Sequence, residues 1–402
     1  MQAASASAPP TTLEISPASL AAAFATVPDP RRQASTAYPL GAILALAVAA
    51  LRSAHTSVRA MAEWGRRQSP DLLAQRGFAD GRTPCQSTLH RLFAKLDGAA
   101  LAAVLGDYFA THLPAARADA LQGVALDGKA QRGRDQYDGA PVHALTAFCH
   151  HHGVVLAQAP LASGGDKAEA ELTMAPALVA RLSWAGRVLT GDALFCQRHR
   201  CAQVVDAGGD YLLVARGNQP TLHAALQLLF DPPPDQAPLP LQDRREARTL
   251  EREHGRLAEV RPLVPTTDLT PCLHDDLGWP GLTPVFRRER RWTDHGCPTQ
   301  QVLYGMTSLA PEQAGPATLR HLNRGHWEID NRLHRVKDLV FGEDASLLHV
   351  GHDPAVLGLL RDATVSLLHR CGVRQITACV REFSQFPERA VALVIQAPLP
   401  HA

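Results

Sequence analysis

The sequence predicts an α/β protein whose mixed sheet is preceded by a helical domain and interrupted by a β-rich insertion. Three observations carry the prediction. Apolar runs of strand length at 123–127, 187–192 and 210–215 alternate with helical stretches at 167–182 and 197–207, as in a mixed sheet covered by helices. The region before residue 118 is built from helix-length apolar segments. Finally, Asp231-Pro232-Pro233-Pro234 stops a helix begun at Thr221 and opens a stretch rich in β-formers.

Taken in order, residues 1–18 are rich in Ala, Ser and Pro and are expected to be disordered. A helical domain over 19–118 follows, with helices near 40–52, 56–67, 70–76, 86–95 and 98–112, the fourth entered through a turn and cap at 84–87. The core occupies 119–350. Strands at 123–127, 142–149 and 153–160 form an opening meander, and the helices at 167–182 and 197–207 lead to strands at 187–192 and 210–215. An insertion at about 231–300 is expected to form a small β-rich subdomain, with strands at 256–264 and 285–293 and a further strand at 302–309. The C-terminal region, 351–402, carries helices at 355–371 and 375–383 that are expected to pack beside the core.

Composition narrows the partners. The chain has 402 residues, with 40 Lys+Arg against 39 Asp+Glu and a net charge of +1, which excludes a uniformly basic DNA-coating protein and confines any nucleic-acid site to a local patch. Candidate patches are the run from Arg287 to Trp292, the pair Arg31-Arg32 and the segment from Arg320 to Arg324; each reads either as solvated surface or as a phosphate contact. The eight cysteines form no Cys-x-x-Cys pair, so reduced thiols are expected. Residues 1–12 lack a secretory signal, and the apolar run 40–51 is too short to cross a bilayer, so a cytoplasmic protein with no membrane contact is expected. His150-His151-His152 alternate in direction on an extended segment and read as solvent-facing turn residues rather than a metal site.

Three acids stand out. Asp127 ends the run 123–126 and Asp192 ends the run 186–191, which places both carboxylates at strand mouths; Asp330 follows on a late helical segment. Asp192 taken alone serves equally well as the N-cap of the next helix. Acids gathered at adjacent strand ends repel one another unless they share divalent ions, and paired hard ions with oxygen ligands suit in-line displacement at phosphorus. Strand acid, strand acid after an intervening helix, then a late helical acid is the layout of a ribonuclease-H-like fold.

The chain resembles the DDE transposases of bacterial insertion sequences, in the H-repeat-associated group. The resemblance rests on LDGKAQRG (126–133), LTGDALFCQRH (189–199), GGDYLLVARGNQPTL (208–222) and RGHWEIDNRLHRVKDLVFGEDAS (324–346), and it covers about residues 20–395, with the string 29–51 matching the accessory domain of that group. It implies a ribonuclease-H-like core, dependence on Mg²⁺ or Mn²⁺, cleavage of DNA at element ends followed by strand transfer into target DNA, and a homodimer in the DNA complex. Asp127, Asp192 and Asp330 become the catalytic and metal-binding residues. The DNA-contact candidates are Lys129, Arg132, Arg216, Asn218, Gln219, Arg324, His326, Trp327, Asn331 and Lys337, the last seven residues after Asp330 and on about the same face of an α-helix. Trp327 reads either as a base-stacking residue or as core.

Two positions depart from the family pattern. Asp330 stands where the pattern has Glu, and Arg335 stands where it has a second Trp. The acid is one methylene shorter, and Mg²⁺ tolerates little displacement of a ligand. Glu328 is the rescue candidate, although i and i+2 point about 200° apart on an α-helix. A DNA-binding descendant without catalysis and a nuclease that cuts without joining remain the alternative readings.

Overall fold

The computed structural model describes residues 18–32, 36–74, 76–117, 120–131, 142–161, 166–236, 247–253, 256–267, 277–294, 297–348 and 350–395. Two compact units emerge. Among the described residues, one is helical, made of those up to His112 and those from Arg335 onward; the other, made of those between Leu113 and Ala130 and between 142 and His334, carries the sheet.

The helical unit contains α1 (Leu20–Phe24), α2 (Leu40–Arg52), α3 (Val58–Arg66), α4 (Pro70–Ala74), α5 (Gln86–Phe93) and α6 (Gly98–Thr111). Ser57 caps α3 through the Ala60 N–H at 3.1 Å, and Asp97 caps α6 through the N–H groups of Ala99 and Ala100. α2 is apolar on every side and buried throughout, as a central helix must be. The C-terminal helices belong to this unit: α11 (Arg335–Leu339), α12 (Asp353–Arg370), α13 (Ile376–Gln385) and α14 (Pro387–Ile395). α12 packs on α2 and α6, and α14 packs on α2, so both ends of the chain build one core. No helix among the described residues is long and apolar enough to cross a membrane, and the described cysteines are free thiols.

The second unit is organised by one sheet of nine strands in the order β3-β2-β1-β4-β5-β9-β8-β7-β6. β1 (Gln122–Gln131), β2 (Val142–Cys149), β3 (Val154–Leu161), β4 (Arg187–Gly191) and β5 (Asp210–Ala215) form its first half. β1, β4 and β5 run parallel, whereas β2 and β3 are antiparallel; with the order 3-2-1-4-5 this is a ribonuclease-H-like core. α7 (Lys167–Ala180) packs on β2 and β3, and α8 (Arg198–Asp206) packs on β5. After α9 (Pro220–Phe230) come β6 (Ala247–Glu253), β7 (Arg256–Thr266), β8 (Val285–Asp294) and β9 (Cys297–Thr307).

Here the structure corrects an expectation. The insertion is not a separate subdomain: β9 pairs antiparallel with β5, Leu212 opposite Thr307, so the four strands extend the core sheet. The unpaired edge of β5 supplies the template, since an open edge offers a row of backbone donors and acceptors. β6, with its charge-rich ALA-ARG-THR-LEU-GLU-ARG-GLU sequence, gave no alternating apolar signal to announce it. α10 (Pro316–Gly325) then crosses the sheet face, and Leu319 and Leu322 pack with Val188, Leu212 and Phe286 in a fully buried cluster. That packing fixes the direction in which the following segment, Ile329–His334, leaves the helix.

Candidate active site

Strand register builds the first part of the site. Leu126 on β1 lies opposite Gly191 on β4, so the next residues, Asp127 and Asp192, emerge together from neighbouring parallel strands. Asp192 also takes the alternative role open to it: its carboxylate accepts the Leu194 N–H at 2.9 Å and caps the short 3₁₀ turn Ala193–Phe195.

The third acid arrives on a wide turn. Ile329–His334 is a π-helical segment, a form found where a helix admits an extra residue, often at functional sites. It presents Asp330 and His334 together. The His334 Nδ1 lies 3.3 Å from Asp127 Oδ2 and 3.4 Å from Asp330 Oδ1, and one ligand atom from each of the three residues falls within 4.8 Å of the others. The hydrogen bond to His334 is the main cause holding the Asp330 carboxyl below its ordinary range, with the charges of His326 and Lys129 helping. His334 was not singled out in the sequence, although its i, i+4 spacing from Asp330 is the spacing of neighbours on a helix face.

Histidines also support the site from behind. His326 is buried, which lowers its pKa, while Asp127, Asp192 and Asp330 pull in the opposite direction. Against expectation, His150 is not solvent-facing. It is buried, and its Nε2 lies 2.8 Å from Thr190 Oγ1 on the strand that ends at Asp192. The ring enters a slot that two glycines leave open: a Cβ on Gly123 or Gly325 would fall 2.4 or 2.3 Å from its Nδ1. Arg332 ties the π segment to the same turn by donating to the His150 carbonyl at 2.7 Å.

Glu328 does not join the group of Asp127, Asp330 and His334; it lies 4.0 Å from Arg332, one turn along. Lys337 departs from the expected phosphate contact. It is 3% exposed and ion-paired with Glu343 at 3.1 Å and Asp362 at 2.9 Å inside the helical unit, because the π segment breaks the α-helical register from which its face was extrapolated. Asn218 and Gln219 also serve the protein itself: Asn218 donates to the Ala193 carbonyl and Gln219 to that of Cys196 at 2.9 Å, bracing the turn after Asp192. Arg132 lies outside the described residues.

The basic run of β8 divides by strand alternation. Arg287 and Arg291 share Glu289 on one face, with Arg287 also bound to Asp231 at 2.7 Å. Arg288 and Arg290 face the other way, into two cavities of about 220 and 320 Å³ that they line together with Trp327. The smaller includes Asp192, Arg216 and His326; the larger includes Arg324, Glu328, Asp330 and Asn331. Trp327 is 49% exposed, which removes it from the core. Arg31, by contrast, is engaged locally by Asp29 at 2.6 Å.

A basic groove beside acids at parallel strand ends, on a ribonuclease-H-like sheet, defines the class. The chain belongs to the DDE transposase family: the Transposase DDE domain model matches residues 110–350, and the DDE_Tnp_1-associated domain model matches residues 21–109. An uncharacterised protein encoded in the 3′ region of dhlA in Xanthobacter autotrophicus is 31% identical over 67% of this chain and 87% of its own length. YncI of Escherichia coli O157:H7, named as a transposase, is 26% identical over 87% and 86%, and the H repeat-associated YhhI of Escherichia coli K12 is 25% identical over 85% and 88%. Among solved structures, a piggyBac transposase synaptic complex with hairpin DNA is similar over 93% of this chain and 80% of that one, with TM-score 0.43 and 10% identity.

Proposed function

We propose that this transposase cuts DNA at the ends of its element and joins the freed strand to target DNA, using divalent ions held by its acids, as a homodimer on the DNA. The single observation that carries the reading is the meeting of Asp127, Asp330 and His334 within 4.8 Å, at the end of a strand in register with the one that delivers Asp192. Oxygen donors from carboxylates suit magnesium or manganese, and such ions, when bound by Asp127, Asp192 and Asp330, would supply Lewis acidity toward a phosphodiester and an attacking water or hydroxyl.

The chain's own residues supply the rest. The hydrogen bond from His334 holds the Asp330 carboxyl below its ordinary range, which favours the charged form that a metal ligand needs. His334 bridges Asp127 and Asp330 and fixes their separation. Arg216, Arg288, Arg290 and Arg324 line the approach and would pair with phosphates, while the exposed Trp327 ring offers a face for an unpaired base. Lys129, whose charge already acts on Asp330, would balance the scissile phosphate.

The test is incubation of the full chain with DNA bearing the element's ends and a target plasmid, in Mg²⁺ or Mn²⁺. Cleaved ends and joined products are expected. Cleavage without joining would instead identify a nuclease, and binding without cleavage a catalytically silent descendant.

A further inference from the structure

One buried carboxylate beside the acids has no part in the chemistry above. Glu171, in the second turn of α7, is 4% exposed, and its Oε1 receives no hydrogen bond. Its nearest cation is the Lys167 ammonium at 3.2 Å, one turn back on the same helix and itself half exposed. The like charges of Asp127 and Asp192 both act on it.

Its position is made by a glycine. An ideal Cβ on Gly128 would fall 1.9 Å from Glu171 Oε1 and 2.4 Å from its Cδ, so any larger residue after Asp127 would evict the carboxylate. Glu171 therefore reaches the end of β1, next to Asp127, from α7, the helix that packs on β2 and β3. Burying a carboxylate costs several kcal/mol unless a cation answers it, and a carboxylate placed within the field of two others raises that demand. The single point charge of a flexible lysine tail does not balance three carboxylates; a divalent ion with oxygen ligands comes closer.

We propose that Glu171 is a fourth carboxylate of the metal centre, joining Asp127 and Asp192 from the α7 side, with Lys167 as the cation that screens it when no ion is held. The inference rests on the metal reading of this site.

The test is Mn²⁺ binding by the full chain without DNA, followed by the electron paramagnetic resonance signal of free Mn²⁺, so the readout is independent of cleavage. Glu171→Gln is expected to weaken binding roughly 10–100-fold, the range for losing a supporting group of a metal site. Glu171→Asp, which keeps the charge and withdraws it by one methylene, weakens it less, and Asp127→Asn also weakens it. Native affinity in Glu171→Gln together with loss in Asp127→Asn would overturn the fourth-ligand assignment and leave the metal centre standing. Native affinity in both would overturn the metal reading and the inference together. Should Glu171→Gln not fold, Glu171→Asp decides: a native affinity there overturns the proposal.

Discussion

At the scale of single residues, the third acid is the most informative position. Asp330 is one methylene shorter than the family pattern, yet its carboxylate meets Asp127 and His334 within 4.8 Å. The π segment accounts for this: it carries Asp330 and His334 into one group and leaves Glu328 against Arg332. Asp330→Ala should therefore reduce metal-dependent cleavage by about a hundredfold or more, while Glu328→Ala stays within a few-fold of native, since only the first removes a proposed ligand. Rates of end cleavage in Mg²⁺ and Mn²⁺ check this, and the reverse pattern would move the third acid to Glu328. Asp127 and Asp330, which meet with His334 in the structure, and Asp192, on the strand in register with that of Asp127, were singled out in the sequence because strand ends and a matched string carried them. His334 and Glu171 were not singled out: a histidine four residues past an acid, or a Lys–Glu pair at i, i+4, reads as ordinary helix surface until the packing partner is known.

At the scale of elements, the sequence located most helices and strands, though not α1, β6, α10 or α14, because apolar spacing and caps are local properties. Contacts made at long range were less legible. The insertion strands extend the core sheet since β5 leaves an edge to pair with, and no local pattern encodes that pairing. Likewise His150, read as a solvent-facing turn residue, is drawn inward by the slot that Gly123 and Gly325 open between β1 and α10. Its burial pulls its pKa down to about 3, below the ordinary 6.5 it regains on unfolding. The unfolded chain thus binds the proton that the folded chain refuses: the stabilisation is fully present above about pH 6.5 and is lost as pH falls toward about 3. The slope from this group is at most about 1.4 kcal/mol per pH unit, and buried His326, whose pKa is also lowered, acts in the same direction. Urea unfolding midpoints should fall between pH 6.5 and 5 in the native chain and fall less in His150→Gln; equal slopes would show that His150 is not the acid-sensitive group.

At the scale of the whole molecule, the proposed function assigns affinity and chemistry to different side chains. The net charge of +1 leaves no general attraction for DNA, so under the proposed function binding would depend on the arginines that strand alternation turns toward the groove, Arg288 and Arg290, rather than on Arg287 and Arg291, which pair with Glu289. On the same proposal the acids would contribute metal ligands and no affinity for a polyanion. The most direct measurement is therefore end-DNA binding and metal-dependent cleavage, side by side, for the native chain, Asp127→Ala, Asp192→Ala and the Arg288→Ala/Arg290→Ala double variant. The predicted result is cleavage abolished in both aspartate variants with binding retained, and binding weakened, with a shallower salt dependence, in the arginine variant. Cleavage persisting in Asp127→Ala or Asp192→Ala, or binding lost in step with cleavage in those variants, would contradict the account.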